Sequence, residues 1–419
     1  MNPEAAVVRR TYLTLTLLTT LAASFIWGIN TLFLLDAGLT NTEAFTANAF
    51  FTAGSFLFEV PTGVVADTRG RRTSFLLGTI TLTVSTLLYL FMWQTQAPLW
   101  GWALASMLLG LGFTFFSGAT EAWLVDALNH TGYTGDLESI FGRAQVVSGA
   151  AMLTGSVAGG FLAQITNLGV PYIVRAVVLA VAFLVALVTM RDLGFSPKKG
   201  KNITTEVRAL LAGAVDSGFR NRPIRWLMLA APFQMGVSFY AFYAMQPHLL
   251  NLYGDRGAFG IAGLAAAVTA GAQIAGGVLV PKVRKLFRRR TDLLLMSAVV
   301  SAAAIALIGL IPNFWAALIF FVGWAALFSL SGPVRQAFIN GCIPSDRRAT
   351  VLSFDALMGS SGGVVAQPVL GRVADLNGYP ASYFVSAAIY AVSAPFVWLA
   401  RRENSPGDRV EPSAATAAG

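Results

Sequence analysis

The sequence predicts an all-α membrane protein with twelve transmembrane helices, and three observations lead to that fold class. Hydrophobic residues make up 55% of the 419 positions, whereas charged residues make up only 12%, about half the usual share. The apolar residues fall into a dozen runs of about 20 residues, the length that crosses a bilayer core of roughly 30 Å. Most Lys and Arg residues lie between these runs. The chain is therefore expected to have lipid as its solvent.

Twelve spans are defined by the apolar runs and by the Gly, Pro and charged residues that end them. The first run follows Arg9 and Arg10 and is too long for a cleaved signal peptide, so it is expected to remain as a membrane anchor. The spans are predicted at residues 11–35, 43–66, 73–95, 98–127, 141–166, 170–190, 225–250, 258–281, 291–311, 313–338, 349–374 and 379–400.

The positions of the basic residues predict the orientation. If the N-terminus is cytoplasmic, only Arg175, Arg256 and Arg372 of the 29 Lys and Arg residues lie on the outer side. Such a bias fixes topology, so both termini are expected in the cytoplasm. The same bias explains the net charge of +9 without nucleic acid as a partner. The excess of Arg over Lys favours a bacterial source, which would place the chain in the inner (plasma) membrane.

The longest loop divides the spans six and six. The predicted domains are a six-helix bundle at 1–190, a cytoplasmic linker with an amphipathic helix at 191–224, a second bundle at 225–402 and a disordered tail at 403–419. The amphipathic stretch of the linker is residues 207–219, which are expected to lie along the membrane surface. Four segments in matching places repeat at an offset of about 213 residues. This weak internal symmetry is typical of transporters that are built from two related bundles.

A motif between the second and third spans is the most specific signal in the chain. It comprises Gly63, Asp67, Gly70, Arg71 and Arg72, in a stretch that reads GVVADTRGRR. This motif resembles the loop between helices two and three of the major facilitator superfamily. The span count, the charge bias and the six-plus-six division agree with that resemblance over essentially the whole chain. The resemblance implies the fold of that superfamily, with two pseudo-symmetric six-helix bundles.

The resemblance also implies partners for the charges of the motif. Asp67 is expected to face the beginning of helix eleven, near Thr350, where a carboxylate is favoured by the helix dipole. Arg71 is expected to face Asp126 at the cytoplasmic end of helix four. Thr68 is a departure, because the family usually has a basic residue at that place. The expected result is a latch that closes the cytoplasmic side.

Helix five carries a second, weaker likeness. Drug:proton antiporters of the superfamily have a glycine-rich pattern there, and its positions in this chain hold Gly142, Ala151, Gly155, Ser156, Gly159 and Gly160. Two of these six residues differ from the family pattern: Ala151 replaces a glycine and Ser156 replaces a proline. Both residues are small, so close helix packing is retained, while the proline bend of the family is lost. The likeness favours export. Helix four, however, lacks the mid-membrane arginine of those antiporters, which puts their usual route of proton coupling in question.

Ionisable residues inside the spans are few, and such residues tend to mark transport pathways or paired gates. Glu59, Glu121 and Asp355 are acidic, and Arg143 and Arg335 are basic. In one interpretation they pair as a cytoplasmic gate, Glu121 with Arg143 and Asp355 with Arg335. In the other, the three carboxylates are the proton-coupling groups, because a desolvated carboxylate that is exposed to each side in turn binds and releases a proton.

Substrate contacts are expected from helices one, four, seven and ten, which line the cavity in this superfamily. Aromatic faces with a few amides suit an amphipathic or aromatic substrate, although aromatic residues also fill ordinary helix packing. The candidate substrate-binding residues are Trp27, Asn30, Phe116, Gln234, Tyr240, Tyr243 and Trp324.

The sequence thus predicts a secondary transporter that works by alternating access. Proton-coupled efflux of amphipathic small molecules or drugs is the first hypothesis, and proton-coupled uptake of a nutrient is the second. A lipid scramblase or an intramembrane enzyme is the alternative of another class. The coupling ion stays open, because sodium could take the place of protons. A monomer is favoured, because one chain contains a complete path. No cofactor is predicted, and no metal site, since His130 and His248 are the only histidines and are predicted on opposite sides.

Overall fold

The computed structural model describes residues 3–197, 203–214, 218–343 and 347–409. Within these ranges the chain is helical, without β-strands. Its helices are α1 (Pro3–Trp27), α2 (Asn30–Asp36), α3 (Asn41–Arg69), α4 (Arg71–Thr95), α5 (Leu99–Thr114), α6 (Ala119–His130), α7 (Leu137–Ile165), α8 (Val170–Thr189), α9 (Ile203–Ala214), α10 (Arg222–Tyr253), α11 (Phe259–Arg284), α12 (Arg290–Leu310), α13 (Phe314–Gly341), α14 (Arg348–Ala391), α15 (Ser393–Arg402) and a short 3-10 helix, Pro406–Asp408.

Local sequence explains where several helices begin. Thr40 and Glu43 form a reciprocal capping box at the start of α3. The Asp136 side chain accepts hydrogen bonds from the first amides of α7, and the Asn313 side chain caps α13 in the same way. Pro171 lies in the first turn of α8, where its missing amide costs nothing. These caps fix the helix starts close to the predicted span starts.

The number of membrane crossings agrees with the predicted twelve. Among the described residues, ten helices are long and apolar enough to cross a membrane, and the bent pair α1 and α2 adds one more. One of the ten, Thr350–Arg402, has 53 residues, about twice the length of one crossing. Gly378 interrupts it with a φ of 80°. This segment therefore holds both the eleventh and the twelfth spans.

Two of the predicted spans are broken. The first span bends by 48° between α1 and α2. The fourth divides into α5 and α6, and Gly118 has a φ of +65° at the break. Both spans were predicted as single helices at 11–35 and 98–127. A break of this kind inside a bilayer requires new partners for the freed backbone groups.

Exposed apolar side chains on α8 indicate a face that contacts lipid. Ile173, Val177, Val181, Leu184 and Val188 recur at helical spacing and are between 43% and 73% exposed. A continuous apolar stripe of this size is rare on the surface of a soluble monomer. In a bilayer it contacts acyl chains, so the chain is a multi-pass membrane protein.

The chain separates into two compact units, which are described separately. Unit 1 comprises Met1–Val207 and Tyr243–Ala270, and unit 2 comprises Arg208–Phe242 and Gly271–Gly419. In unit 1, α1 packs against α7 and α8, and α3 packs against α5. In unit 2, α12 packs against α13 and α14. The predicted division into bundles at 1–190 and 225–402 follows the sequence order, whereas unit 1 includes a segment from the second half of the chain.

The linker contains a helix, as expected, but α9 begins at Ile203 instead of near residue 207. Part of the predicted amphipathic stretch, residues 215–217, lies outside the described residues. Its placement along the membrane surface stays a prediction.

The beginning of the predicted disordered tail is ordered, which corrects that part of the prediction. Asp408 is 1% exposed, and its carboxylate accepts hydrogen bonds of 2.8 Å from both the amide and the hydroxyl of Thr291. Cys342 Sγ lies 2.9 Å from Ser405 Oγ, and burial raises the pKa of this thiol. A polar composition did not prevent docking here, because the carboxylate caps the first turn of α12. Residues 410–419 lie outside the described part of the chain.

Candidate functional site

The loop between α3 and α4 is a tight charged turn in unit 1. Gly70 has a φ of +105°, which a residue with a side chain rarely adopts. Asp67 Oδ1 lies 2.7 Å from Arg71 Nη2. Asp126 Oδ2 lies 3.9 Å from Arg71 Nε, at the limit of an ion pair. Arg71 therefore lies between two carboxylates, and the one within its own motif is the closer.

Asp192, which the sequence analysis did not single out, completes this turn. Its Oδ1 accepts a 2.8 Å hydrogen bond from the amide of Arg72, at the beginning of α4. A Cβ at Gly70 would overlap Asp192 Oδ2. The Arg72 guanidinium donates to the carbonyl oxygen of Leu187, also at 2.8 Å. The motif is thus tied to the end of α8, and its second glycine is needed because a carboxylate occupies the space.

The same arrangement occurs in unit 2, where Asp408 caps α12 through Thr291. In each half of the chain, a carboxylate that follows the sixth span of that half caps the beginning of its third span. Asp192 and Asp408 lie 408 − 192 = 216 positions apart, close to the internal offset of about 213 residues, so the repeat is consistent with the sequence symmetry. It extends the internal symmetry to a specific contact.

Arg335 and Asp355 form a two-pronged ion pair in unit 2. Arg335 Nη2 lies 2.5 Å from Asp355 Oδ1, and Nε lies 3.1 Å from Oδ2. Nη2 also donates to the carbonyl oxygen of Leu227 at 2.9 Å. The two side chains are 17% and 14% exposed. The contact is the one expected between these two residues, and parallel N–H···O bonds of this kind are strong because both groups are charged.

A small polar cavity lies beside this ion pair. Its volume is about 20 Å³, room for about one water molecule. Gln234, Ser297, Ser331, Arg335 and Tyr390 supply its polar lining. The hydroxyl of Ser297 has no hydrogen-bond partner among the described residues. An unpaired buried hydroxyl is costly unless water or a ligand reaches it, so this cavity suits a bound water or a polar group.

The other candidate charges lie in unit 1 and are exposed. Glu59 Oε1 accepts a 2.6 Å hydrogen bond from Ser117, in the break between α5 and α6. Glu121 lies in the first turn of α6, where the helix dipole favours a carboxylate. Within the described ranges, Glu121 and Arg143 form no ion pair. The pairing that was expected for these two residues is therefore not present.

Asn30, one of the two candidates from helix one, belongs to a buried group of polar side chains. The Asn30 amide donates to Asn48 Oδ1 at 3.0 Å, and the Tyr172 hydroxyl donates to Asn30 Oδ1 at 3.0 Å. Arg175, one turn beyond Tyr172, is 2% exposed and donates to the hydroxyl of Thr86. Asn30 thus serves the packing of unit 1.

The remaining candidates are also in contact with neighbouring side chains or backbone. Trp27 accepts a hydrogen bond at its carbonyl oxygen, and the ring of Phe116 lies 4.8 Å from that of Phe75. Tyr243 lies in the segment of α10 that belongs to unit 1. In unit 2, Tyr240 accepts a 2.5 Å hydrogen bond from Ser382, and Trp324 is 2% exposed. Gln234 is the only one of the seven candidates that lines the described cavity.

The glycines of helix five, here α7, are places of close helix contact. A Cβ at Gly155 would overlap the Ser24 hydroxyl, and one at Gly159 would overlap the carbonyl oxygen of Phe25. At Gly160 it would lie 2.9 Å from the Cα of Gly263 in α11. Gly142 differs, because nothing lies within 4 Å of its Cβ position. Gly159 and Gly160 therefore permit backbone contact, as small residues do between membrane helices, and Gly155 makes room for the Ser24 side chain.

Solved structures of several transporters have the same fold. A variant of the nucleoside transporter NupG superposes with a TM-score of 0.79 at 12% identity, covering 94% of this chain and 99% of that one. A bacterial homolog to the human lysosomal transporter Spinster, in an inward-facing and unoccupied conformation, has a TM-score of 0.70 at 18% identity, covering 99% and 100%. A POT family transporter in complex with a thioalcohol-conjugated peptide has a TM-score of 0.70 at 11% identity, covering 94% and 96%.

Sequence comparison identifies the family. A search of curated protein sequences finds no match. The model of the Major Facilitator Superfamily, in contrast, matches residues 12–291 and 258–418. These matches span nearly all of the chain, and the helical architecture and the transporter neighbours agree with them. The chain belongs to the Major Facilitator Superfamily and is a membrane transporter.

Proposed function

We propose that this transporter couples the export of amphipathic small molecules to the entry of protons. In this proposal the chain acts as a monomer in a bacterial inner membrane, with both termini in the cytoplasm. Substrate and protons occupy a central path in turn, and the two six-helix bundles expose that path alternately to each side. Uptake of a nutrient, with or without sodium as the coupling ion, is the second candidate.

The glycine contacts of α7 are the observation that supports export. The pattern Gly155, Gly159 and Gly160 resembles that of drug:proton antiporters, and here each of these glycines lies at a close helix contact. Two of the three contacts are with α1, and the third is with α11. A tight seal of this kind suits an exporter, because protons must not leak along the path while substrate is absent.

The carboxylates at two places support proton coupling. Asp355 is paired with Arg335 beside a cavity that is large enough for a water molecule. A water molecule in this cavity would give a proton a route to the carboxylate, and the protonated carboxyl group would release Arg335. Glu59 and Glu121 are exposed in unit 1, and Glu121 forms no ion pair with Arg143 in the described part of the chain. Both carboxylates are therefore accessible to a proton or to a cationic substrate.

Transport across a pH gradient tests this function. Purified protein in proteoliposomes is given an imposed pH gradient and a panel of fluorescent lipophilic cations, and wild type is compared with Glu121→Gln. Wild type is expected to move at least one dye against its gradient. Glu121→Gln is expected to lose the pH dependence of that movement, because the amide cannot bind and release a proton. Unchanged pH dependence in the variant would exclude Glu121 as the proton carrier.

Glu138→Gln is the matched control for this experiment. Glu138 is exposed in the first turn of α7, outside the predicted path, and loses the same charge on substitution. Its pH dependence is expected to equal that of wild type. Intact protein that moves none of the dyes would contradict export of amphipathic cations.

The solved structures give a specific reason to keep uptake as the second candidate. Two of those proteins are a nucleoside transporter and a POT family transporter that binds a conjugated peptide. The polar lining of the cavity beside Arg335, with Gln234 and Ser297, also suits a hydroxyl-bearing solute. A binding screen with nucleosides, peptides and sugars separates the two hypotheses, since an exporter of lipophilic cations is expected to bind none of them tightly.

The latch motif leads to a further prediction. Asp67→Asn is expected to slow transport several-fold while leaving insertion and folding intact. The amide keeps the shape of the turn, but it no longer neutralises Arg71 at 2.7 Å and no longer favours the proposed contact with the beginning of helix eleven. Dye transport and thermal stability in detergent are measured on the same preparations. If Asp67→Asn transported dye at the wild-type rate, Asp67 would not act as a latch on the cytoplasmic side.

A further inference from the structure

The bend of the first span is occupied by a side chain from a distant part of the sequence. Gln246, in α10, is completely buried within unit 1. Its Nε2 donates a 2.9 Å hydrogen bond to the carbonyl oxygen of Trp27, and its Oε1 accepts one of 2.9 Å from the amide of Thr31. One side-chain amide therefore bridges the last residue of α1 and the first turn of α2.

These two backbone groups are the partners of one ordinary helical hydrogen bond. In an unbroken α-helix, the amide of residue 31 donates to the carbonyl oxygen of residue 27. Here the Gln246 amide is inserted between them and supplies one donor and one acceptor. The bend of 48° separates each group from its ordinary helical partner at membrane depth, which is unfavourable unless another group replaces that partner.

The segment Tyr243–Ala270 makes further close contacts, with α7 as well as with the bend of the first span. A Cβ at Gly28 would lie 3.1 Å from both the Cβ of Ala266 and the Cα of Gly263 in α11. The amide of Gly260 donates to Gln164 Oε1 at 2.9 Å. The segment Tyr243–Ala270 thus holds α1 and α7 by backbone contacts as well as by Gln246, so its withdrawal would remove the amide from the bend.

We propose that Gln246 is a positioning residue that exchanges hydrogen bonds with helix one during transport. With the amide inserted, the first span is bent, and the end of unit 1 that carries Ile165 and Tyr253 is closed. When Tyr243–Ala270 moves away, the Thr31 amide bonds directly to the Trp27 carbonyl oxygen and the span straightens. Each state provides a partner for the Thr31 amide and for the Trp27 carbonyl oxygen, so the exchange costs neither of these two hydrogen bonds. This inference rests on the proposed alternating access.

Distances between spin labels test the exchange. Labels are placed at Ile165 and Tyr253, which are 77% and 47% exposed at the same end of unit 1, in a Cys342→Ser background. The wild-type protein in nanodiscs is expected to give mainly one short distance. Gln246→Leu keeps the volume and removes both hydrogen bonds of the bent state, so a longer distance is expected to gain weight about thirtyfold relative to the short one.

Two further variants make the result decisive. Gln367→Leu is the matched control, because Gln367 is also a fully buried glutamine but lies in unit 2, away from the bend. It is expected to keep the wild-type distances. Gly28→Ala favours a continuous helix and crowds Ala266, so it is expected to lengthen the distance even if Gln246→Leu does not fold.

If folded Gln246→Leu or Gly28→Ala gave the same distance distribution as wild type, the proposed exchange of hydrogen bonds would be wrong. The measurement needs neither substrate nor a proton gradient. A failure of this inference is therefore distinguishable from a failure of the proposed export, which the dye experiment tests separately.

Discussion

Asp355→Asn is expected to abolish proton-driven transport and to destabilise unit 2. The substitution leaves the Arg335 guanidinium, 17% exposed, without its carboxylate partner at 2.5 Å. Removal of one member of a buried ion pair costs about 3–5 kcal/mol, because the remaining charge is desolvated and unpaired. The thermal midpoint in detergent and gradient-driven dye accumulation are measured together on purified protein.

The double variant Arg335→Met with Asp355→Asn separates stability from coupling. It removes both charges, so the thermal midpoint is expected to return towards that of wild type. Proton-driven accumulation is expected to stay absent, while downhill movement of dye persists. If the double variant accumulated dye as wild type does, the ion pair would be a structural brace and not a site of proton coupling.

Gly159→Ala is expected to have the second largest effect. The added Cβ would overlap the carbonyl oxygen of Phe25, which belongs to the backbone of α1 and cannot rotate away. Forced separation of two packed helices costs about 1–3 kcal/mol, and the loss of the contact is expected to let protons leak. The free energy of unfolding and the passive proton permeability of proteoliposomes measure the two consequences.

Gly142→Ala is the matched control on the same helix. Nothing lies within 4 Å of its Cβ position, and alanine is favoured over glycine in a helix by about 1 kcal/mol. Stability is therefore expected to be unchanged or slightly higher, with no leak. Equal behaviour of the two variants would show that the glycine pattern reflects composition and not helix contact.

The positions of the helices were predictable because a bilayer permits few alternatives. Length and apolar composition identify a crossing without any knowledge of tertiary contacts. The Arg335–Asp355 pair was predictable for a related reason, since two opposite charges at a similar depth in neighbouring spans are each costly alone. The loop motif was recognisable because Gly70 and the charges around it have a defined spacing.

The features that were missed depend on residues far apart in the chain. The break at Gly28 is held by Gln246, 215 positions from Thr31, and an apolar run gives no sign of it. Asp192 caps α4 across 120 positions. The absence of a Glu121–Arg143 pair has the same origin, because the depth of two residues does not specify which faces of their helices meet. Tertiary packing, not local pattern, decides these contacts.

Proton movement that is caused by substrate is the most direct test of the central claim. Proteoliposomes that contain a trapped pH-sensitive dye receive a transported lipophilic cation outside, without an imposed gradient, and the internal pH is recorded. Antiport predicts that substrate entry drives protons out and makes the interior more alkaline, and that Asp355→Asn abolishes this change. Acidification of the interior, or no pH change while substrate enters, would contradict proton-coupled export.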